Sequence, residues 1–264
     1  MENETPGAPH RRLKRPLRIA SLVPSLTELL FALGLGPQVV ARTGFCIHPR
    51  EARVVPKVGG TKDPNLAMLR SLAPTHLVVN IDENRREDVE AAREFVSNIV
   101  VTHPLAPSDN VGLFATFGEA FDCRERANAL IAELQSAIAG VEDAMRGIAR
   151  ERVLYLIWRK PWMTISRATY VSASLAMVGW DSVPATAPVR YPAIEETDPD
   201  WHDAHRILLS SEPYAFRERD VREMNERHGK PVALVDGEWT SWYGVRAIEG
   251  LGMLASLRRK LAQS

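Results

Sequence analysis

Short apolar runs alternate with amphipathic segments over the first hundred residues of the chain. Each run is short enough to be a buried strand, and the candidates lie at residues 17–22, 39–43, 76–80 and 98–102. Strands that alternate with helices at this spacing predict a parallel sheet with crossover helices. The pattern therefore predicts an α/β lobe over residues 16–107, preceded by a polar, basic tail at residues 1–15 that we expect to be disordered.

The first helix of this lobe carries a local start signal. Ser25 is followed three residues later by Glu28, which is the spacing of a capping box. The sequence therefore predicts that this helix begins with Ser25 as its N-cap and ends near Gly34 and Gly36.

The pattern becomes helical without strands between residues 109 and 149, with one break near Phe121. Apolar residues recur there at spacings of three and four, the signature of one buried stripe: Ala127, Leu130, Ile131, Leu134, Ile138, Val141 and Met145. A helix over residues 124–148 would be roughly 37 Å long at about 1.5 Å per residue. Because a crossover helix needs less length, residues 108–150 are predicted to form a helical linker between two lobes.

A second alternating region follows the linker. Strand candidates lie at residues 152–158, 206–210 and 231–235, and helix candidates at 170–178, 221–227 and 247–261. The predicted fold class is thus α/β, with two parallel-sheet lobes joined by a single long backbone helix and a ligand cleft between the lobes. The second lobe is expected to span residues 151–264.

Composition supports an ordinary globular protein. The 264 residues are 45% hydrophobic, and Lys plus Arg equals Asp plus Glu at 33 each. A chain without net charge has no broad field for nucleic acid or an anionic membrane. Only two cysteines are present, Cys46 and Cys123, and we expect them to be free thiols.

The amino-terminal region resembles a secretory signal only superficially. A basic stretch precedes an apolar run, but Pro24 and Glu28 interrupt that run and no small-residue cleavage site follows it. No apolar run approaches the roughly 20 residues that a membrane-spanning helix needs. The sequence alone therefore leads us to expect a cytoplasmic protein.

The most concentrated chemistry lies at residues 235–246, where three large aromatic residues, two carboxylates and Arg246 follow a predicted strand. Loops at the carboxyl ends of parallel strands usually hold ligand. If both lobes turn these loops toward one cleft, the first lobe contributes Phe45, His48, Lys62, Glu83, Asn84 and Arg85. The second lobe contributes Trp158, Arg159, Trp162, Glu212, Tyr214, Trp239, Trp242, Tyr243 and Arg246. Such walls suit a large, flat, partly apolar ligand with polar edges, whereas the competing interpretation is that the tryptophans fill the core.

Catalysis and metal binding have weaker support. Ser241 lacks a Gly-x-Ser-x-Gly elbow, and the chain has neither a Walker loop nor a dinucleotide fingerprint. Asp236 and Glu238 stand two residues apart and could serve as acid and base. His202 and His205 share a helix face if that segment is helical and could bind metal, although solvated polar residues explain them equally well. We therefore predict a non-enzymatic protein that requires no cofactor.

Several segments together identify a family resemblance. Residues 18–29, 32–36, 65–66 and 72–74 resemble the start of the class III solute-binding proteins that serve vitamin B12 and ferric-siderophore transporters. Within that family the chain is most similar to the cobalamin-binding or helical-backbone metal receptor subgroup. The similar segments are GFCIHP, PKVGGTKDPN, ENRREDVE, IWRKPWM, LLSSEPYAF and VDGEWTSWYG.

The resemblance implies a rigid helix between the lobes, little domain closure and a ligand that is a corrinoid or a ferric chelate. By its pattern, Phe45, Trp239 and Arg246 contact the ligand, while Trp158, Trp162, Trp242 and Tyr243 follow from the cleft argument and the subgroup motifs. The implied function is a non-catalytic corrinoid-binding protein linked to ABC-type uptake. The alternatives are a ferric-siderophore or haem binder, and a cytoplasmic corrinoid or metal-chelate chaperone or enzyme that does not dock to a permease.

Two features depart from the family pattern. Relatives that serve transporters carry a signal peptide or a lipoprotein cysteine and are usually periplasmic or membrane-anchored. They also tend to present one surface glutamate on each lobe to the permease. Ala67 stands at the first of these positions, and Glu195 and Glu196 are only approximate candidates for the second. Docking to an ABC permease therefore has weak support from the sequence.

Overall fold

The first lobe is built on a four-stranded parallel sheet. The computed structural model describes residues 16–263, so the predicted tail at residues 1–15 lies outside the described residues. In chain order this lobe contains β1 (Ile19–Ser21), α1 (Pro24–Ala32), β2 (Val39–Arg42), α2 (Leu66–Ser71), β3 (His76–Asn80), α3 (Arg86–Ala92) and β4 (Asn98–Thr102). The strands lie in the order β2-β1-β3-β4, so the first strand is central and fully buried.

Two helices connect the lobes. They are α4 (Asn110–Ala120) and α5 (Arg124–Ala144), and the predicted break near Phe121 lies between them. The apolar stripe packs as predicted, with Ala127, Leu134 and Val141 fully buried along one face of α5. The predicted carboxyl-terminal end of α5 is wrong, because the helix stops at Ala144 and Gly147 then turns the backbone at φ 78°.

The second lobe repeats the architecture. It contains β5 (Glu151–Leu156), β6 (Trp162–Met163), α6 (Tyr170–Met177), β7 (Trp180–Val183), β8 (Ala193–Ile194), α7 (Asp200–Asp203), β9 (Arg206–Ser210), α8 (Glu218–His228), β10 (Val232–Val235), α9 (Gly237–Ser241) and α10 (Arg246–Ala262). The main sheet is parallel in the order β10-β9-β5-β7, while β6 and β8 form a small antiparallel pair. The predicted fold class is therefore confirmed.

The apolar core is continuous between the lobes. One cluster joins Ile19 and Val78 of the first sheet to Tyr155 and Leu208 of the second through buried residues of α4, α5 and α10. Two smaller clusters cover the other faces of the sheets, around Leu77 in the first lobe and Leu209 in the second. Because side chains of both lobes share the large cluster, sliding or opening the lobes would expose apolar surface.

Two local elements differ from the prediction. Helix α1 begins at Pro24 after Val23, and Ser25 makes no capping hydrogen bond, since Pro at the first helical position supplies the start. Strand β7 was not predicted because Asp181 and Ser182 interrupt its apolar character. None of the helices in residues 16–263 combines the length and apolarity needed to cross a bilayer.

Candidate functional site

The segment after β10 turns sharply and then forms two helices instead of the predicted open loop. Asp236 caps α9 by accepting a hydrogen bond from the Glu238 backbone N–H at 3.0 Å. Gly237 passes so close to the loop after β9 that a Cβ atom there would lie 2.9 Å from the Glu212 Cβ. Gly244 then takes φ 82° and starts α10. This path holds α9 against the carboxyl ends of β9 and β10, where the sequence predicts the ligand cleft.

Arg246 is the first residue of α10 and links the two lobes. Its Nε and Nη2 donate to both oxygens of Glu28 on α1, at 3.0 and 2.8 Å, and its Nη1 donates to Glu238 at 2.6 Å. The guanidinium also lies over the ring of Trp242, 4.7 Å from its centroid. All three contacts lie within the protein and join the two lobes through one guanidinium, while ligand contact by Arg246 stays a prediction.

Trp242 lies where the two lobes meet. Its indole N–H donates to Glu212 at 3.1 Å, and the His48 ring of the first lobe packs edge-on against it with centroids 5.6 Å apart. His48 Nε2 also lies 3.6 Å from a carboxylate oxygen of Glu238. Three residues that the sequence assigned to opposite walls are thus in one cluster, with Trp242 half-buried between them.

Tyr243 makes the next bridge between the lobes. Its hydroxyl donates to Glu83 at 2.6 Å, across a sequence separation of 160 residues. Burial raises the pKa of Glu83, while the Tyr243 hydrogen bond and the charge of Lys62 oppose that shift. Burial and the neighbouring Glu83 charge also raise the pKa of Tyr243. The Tyr243 hydroxyl therefore stays protonated and donates to Glu83.

A polar cluster beside Glu83 was missed by the sequence analysis. Arg190, in the segment between β7 and β8, pairs with Asp82 and donates to His103 Nε2 at 2.7 Å. His103 Nε2 lies 3.4 Å from the other Asp82 oxygen. Lys62 donates to the Asp82 carbonyl at 2.6 Å. Asp82 and His103 follow strands β3 and β4 directly, a placement that could have been predicted, but nothing near Arg190 signals its crossing to the first lobe.

Exposed aromatic side chains also lie in loops that follow the strands. Phe45, in the loop after β2, is 62% exposed, and Trp158, in the loop after β5, is 39% exposed and packs edge-on against Tyr214. Tyr191, next to Arg190, is exposed as well. Phe45 and Trp158 follow β2 and β5, so both lie at the carboxyl ends of parallel strands, where α/β folds usually hold ligand.

The remaining predicted residues differ in their availability. Asn84 is buried, accepts from the Asn80 backbone and donates to the carbonyls of Leu22 and Thr61, so its side chain holds loops of the first lobe together. Arg85 is exposed at the start of α3, and Trp239 is half-buried with its backbone against Gly250.

Two further residues predicted to contact the ligand form bonds within the second lobe. Arg159 pairs with Asp220 and Glu223. Trp162 is half-buried, stacks on Phe216 and donates to Glu196 at 2.8 Å. Ligand contact by Arg159 and Trp162 stays a prediction.

The arrangement offers no catalytic or metal constellation among residues 16–263. Asp236 is occupied as a helix cap, and Ser241 donates to the Gly237 carbonyl at 2.8 Å. No group of three or more His, Cys, Asp or Glu side chains in that range could hold a metal ion. Cys46 and Cys123 are free, and burial raises the pKa of both thiols.

A second concave surface, of about 870 Å³, lies away from this cleft. It is formed by the carboxyl-terminal ends of α5 and α10 and by the amino-terminal ends of β5 and β9. Its arginines are largely paired, as Arg206 and Arg258 both contact Glu151 and Arg150 pairs with Asp181. The predicted ligand cleft is at the other ends of these strands.

Two α/β lobes on a rigid helical connection, with an aromatic and polar cleft at the facing strand ends, define the class of two-lobed solute-binding proteins. The family model described as periplasmic binding protein matches residues 19–202, which is well over half of the chain. The chain belongs to the periplasmic binding protein family.

Individual relatives are similar over most of their length. The vitamin B12-binding protein of Pectobacterium carotovorum subsp. carotovorum is 24% identical over 238 residues, covering 88% of this chain and 85% of that protein. The periplasmic vitamin B12 binding protein of Vibrio cholerae superposes with a TM-score of 0.80 at 17% identity, covering 94% and 98% of the two chains. A periplasmic heme-binding protein of Roseiflexus sp. RS-1 superposes with a TM-score of 0.78 at 20% identity, covering 93% and 99%.

Proposed function

We propose that this protein is a non-catalytic binding protein for a corrinoid. The observation that carries the proposal is that two contacts join the lobes, the His48 ring against Trp242 and the Tyr243 hydroxyl to Glu83, with exposed rings of Phe45 and Trp158 in the loops after β2 and β5. A corrin macrocycle is large and flat with a fringe of polar amides. It therefore matches a cleft that combines exposed aromatic rings with polar side chains. Similarity to vitamin B12-binding proteins over most of the chain supports the same ligand class.

We further propose that the protein delivers its ligand to an ABC-type permease, as a substrate-binding relative from Bacillus subtilis is named for such a transporter. Ala67 is exposed on α2, where the family pattern expects an acidic residue. Glu196 pairs with Arg227, which leaves the exposed Glu195 as the acidic candidate in the second lobe. A cytoplasmic corrinoid chaperone is the other assignment. It predicts transfer or turnover in a time course with cobalamin, whereas a binding protein shows reversible binding only.

The ligand is tested by titrating the purified protein with cyanocobalamin while following tryptophan fluorescence, with haem and a ferric hydroxamate as parallel ligands. We expect quenching by cyanocobalamin well below the high-micromolar range. The Trp242→Ala variant should weaken that binding by about 1 to 3 kcal/mol, because an aromatic anchor between the lobes is lost. Tight binding of haem or the hydroxamate with none of cyanocobalamin would contradict the corrinoid proposal.

A matched pair of variants separates binding from folding. Trp242→Phe and Trp162→Phe each remove one hydrogen bond that an indole N–H donates to a glutamate of the second lobe. The acceptor is Glu212 for Trp242 and Glu196 for Trp162. Trp242 packs against His48 of the first lobe, whereas Trp162 stacks on Phe216 within the second lobe, so we expect Trp162→Phe to bind cyanocobalamin with wild-type affinity. Equal weakening by both variants would place the effect in the fold of the second lobe.

A further inference from the structure

Two carboxylates in the cleft, one from each lobe, are bonded through one oxygen only. Glu83 accepts from the Tyr243 hydroxyl through Oε1, and Glu212 accepts from the Trp242 indole through Oε2. Among residues 16–263, neither Glu83 Oε2 nor Glu212 Oε1 has a hydrogen bond or an ion pair. Each lobe therefore contributes one carboxylate with an unused acceptor oxygen.

The cations nearby are committed to other carboxylates or carbonyls. Arg246 is held by Glu28 and Glu238. Arg190 pairs with Asp82, and Lys62 donates to the Asp82 carbonyl. No lysine or arginine among residues 16–263 forms an ion pair with Glu83 or Glu212, and an ionised carboxylate can only accept hydrogen bonds.

The two carboxylates also affect each other. Burial raises the pKa of Glu83, and the charge of Glu212 raises it further. Burial likewise raises the pKa of Glu212, with Glu238 and Asp236 adding to the shift. The nearby cations do not cancel these rises in pKa. A ligand that donates hydrogen bonds to the two carboxylates would offset the free-energy cost of burying them.

We propose that Glu83 and Glu212 form an acceptor pair that selects corrinoids whose side chains are amides over corrinoids whose side chains are carboxylates. A primary amide presents two N–H donors, which can complete the free oxygens of Glu83 and Glu212. A ligand carboxylate has no donor and places a like charge beside them, which disfavours its binding. This inference rests on the proposed corrinoid function and adds a specificity to it.

The test compares two corrinoids of the same ring and axial ligands, dicyanocobinamide with amide side chains and dicyanocobyrinic acid with carboxylates. Both are titrated into the full-length protein at about pH 7.5, where free carboxylates are ionised. The wild-type protein should bind the amide ligand at least about tenfold more tightly, since burying one unpaired charge at a polar site costs that much or more. Glu83→Gln/Glu212→Gln should reduce this preference severalfold, mainly by binding the carboxylate ligand more tightly, because glutamine can also donate.

The matched control is Glu94→Gln/Glu226→Gln, which makes the same charge change at one exposed glutamate in each lobe. It should keep the wild-type preference. Circular dichroism melting establishes that each variant is folded, and the two single cleft variants provide the same comparison if the double variant does not fold.

Equal binding of the two ligands by the wild-type protein would overturn the inference while leaving the corrinoid function intact, as would an unchanged preference in the cleft variants. Failure of both ligands to bind would overturn the function and the inference together.

Discussion

Arg246 shows how one side chain can hold two lobes together. It pairs with Glu28 of the first lobe and Glu238 of the second, and only 22% of its side chain is exposed. Removing the guanidinium would leave two carboxylates close together without their cation. Because such partly buried charges are poorly screened, we expect Arg246→Ala to lower the free energy of unfolding by about 2 to 3 kcal/mol in urea denaturation.

Arg259 provides the control for this prediction. It is exposed near the end of the same helix, so Arg259→Ala removes an equal charge at a solvated position. Its effect should stay within about 0.5 kcal/mol. A similar small effect of Arg246→Ala would show that the ion pairs across the lobes contribute little to stability.

Glu212 gives the protein a pH dependence with a definite sign. Burial raises its pKa in the folded state, with Glu238 and Asp236 adding to the shift and Arg246 opposing it. A carboxyl with a raised folded pKa stabilises the fold below the ordinary glutamate value of about 4.3, and that contribution is lost as the pH rises through the folded pKa.

Glu212→Gln removes this titration. The melting temperature of the variant relative to wild type should therefore increase between about pH 4 and about pH 7.5, measured by calorimetry at constant ionic strength. The hydrogen bond from Trp242 favours ionised Glu212 and so opposes the rise in its pKa, but burial outweighs it and the sign of the slope is kept. Glu226→Gln, at an exposed position, should give a flat difference, and a flat difference for Glu212→Gln would contradict the raised pKa.

Single residues of the candidate site were predictable by type and place, but their partners were not. His48, Trp242 and Glu212 were proposed because they follow predicted strands, and the structure brings them together. The contact of Arg246 with Glu28 spans 218 residues, and sequence spacing carries no signal for such a pair. The stacking of Trp162 on Phe216 likewise depends on tertiary packing, because 54 residues separate the two rings in the sequence.

At the scale of elements, the junction between β10 and α9 depends on one glycine. A methyl group at residue 237 would approach Ser210 Oγ to 2.8 Å and the Glu212 backbone N to 3.0 Å, so one of the two loops would have to move. We expect Gly237→Ala to destabilise the protein by about 1 to 3 kcal/mol and to weaken ligand binding, because Glu212 and Trp242 would lose their alignment. Urea denaturation and cyanocobalamin titration measure the two effects.

Gly252 is the matched control, since it lies in α10 and a methyl group at this residue would have no neighbouring atom within 4 Å. Gly252→Ala should stabilise the protein by about 0.5 to 1 kcal/mol through helix propensity and leave binding unchanged. Destabilisation by both variants would mean that the close approach at Gly237 is not the cause.

The elements that the sequence predicted correctly have strong and continuous patterns. Strands β3 and β9 are apolar runs in parallel sheets, and α5 shows its stripe over several turns. The missed elements depend on tertiary context. The short helix α9 interrupts an aromatic segment that looks like a loop, and β7 carries polar residues that are buried only because the strand pairs with β5.

At the scale of the whole molecule, two kinds of contact join the lobes. Ion pairs and hydrogen bonds cross the cleft at Arg246, Tyr243 and Arg190. Beneath them, the large core cluster passes from the first sheet to the second through α4, α5 and α10. Hinge closure would require this shared core to open, so ligand should enter without a large movement of the lobes.

Small-angle X-ray scattering tests this expectation. The radius of gyration of the wild-type protein should be the same, within error, with and without saturating cyanocobalamin, whereas a smaller value with ligand would indicate hinge closure. The variant Arg190→Ala/Arg246→Ala removes the ion pairs across the cleft and keeps the shared core. If the core sets the arrangement of the lobes, as its buried apolar area argues, the variant scatters like wild type even though it unfolds at lower urea. A larger radius of gyration for the variant than for the wild-type protein would show that the ion pairs set the arrangement of the lobes.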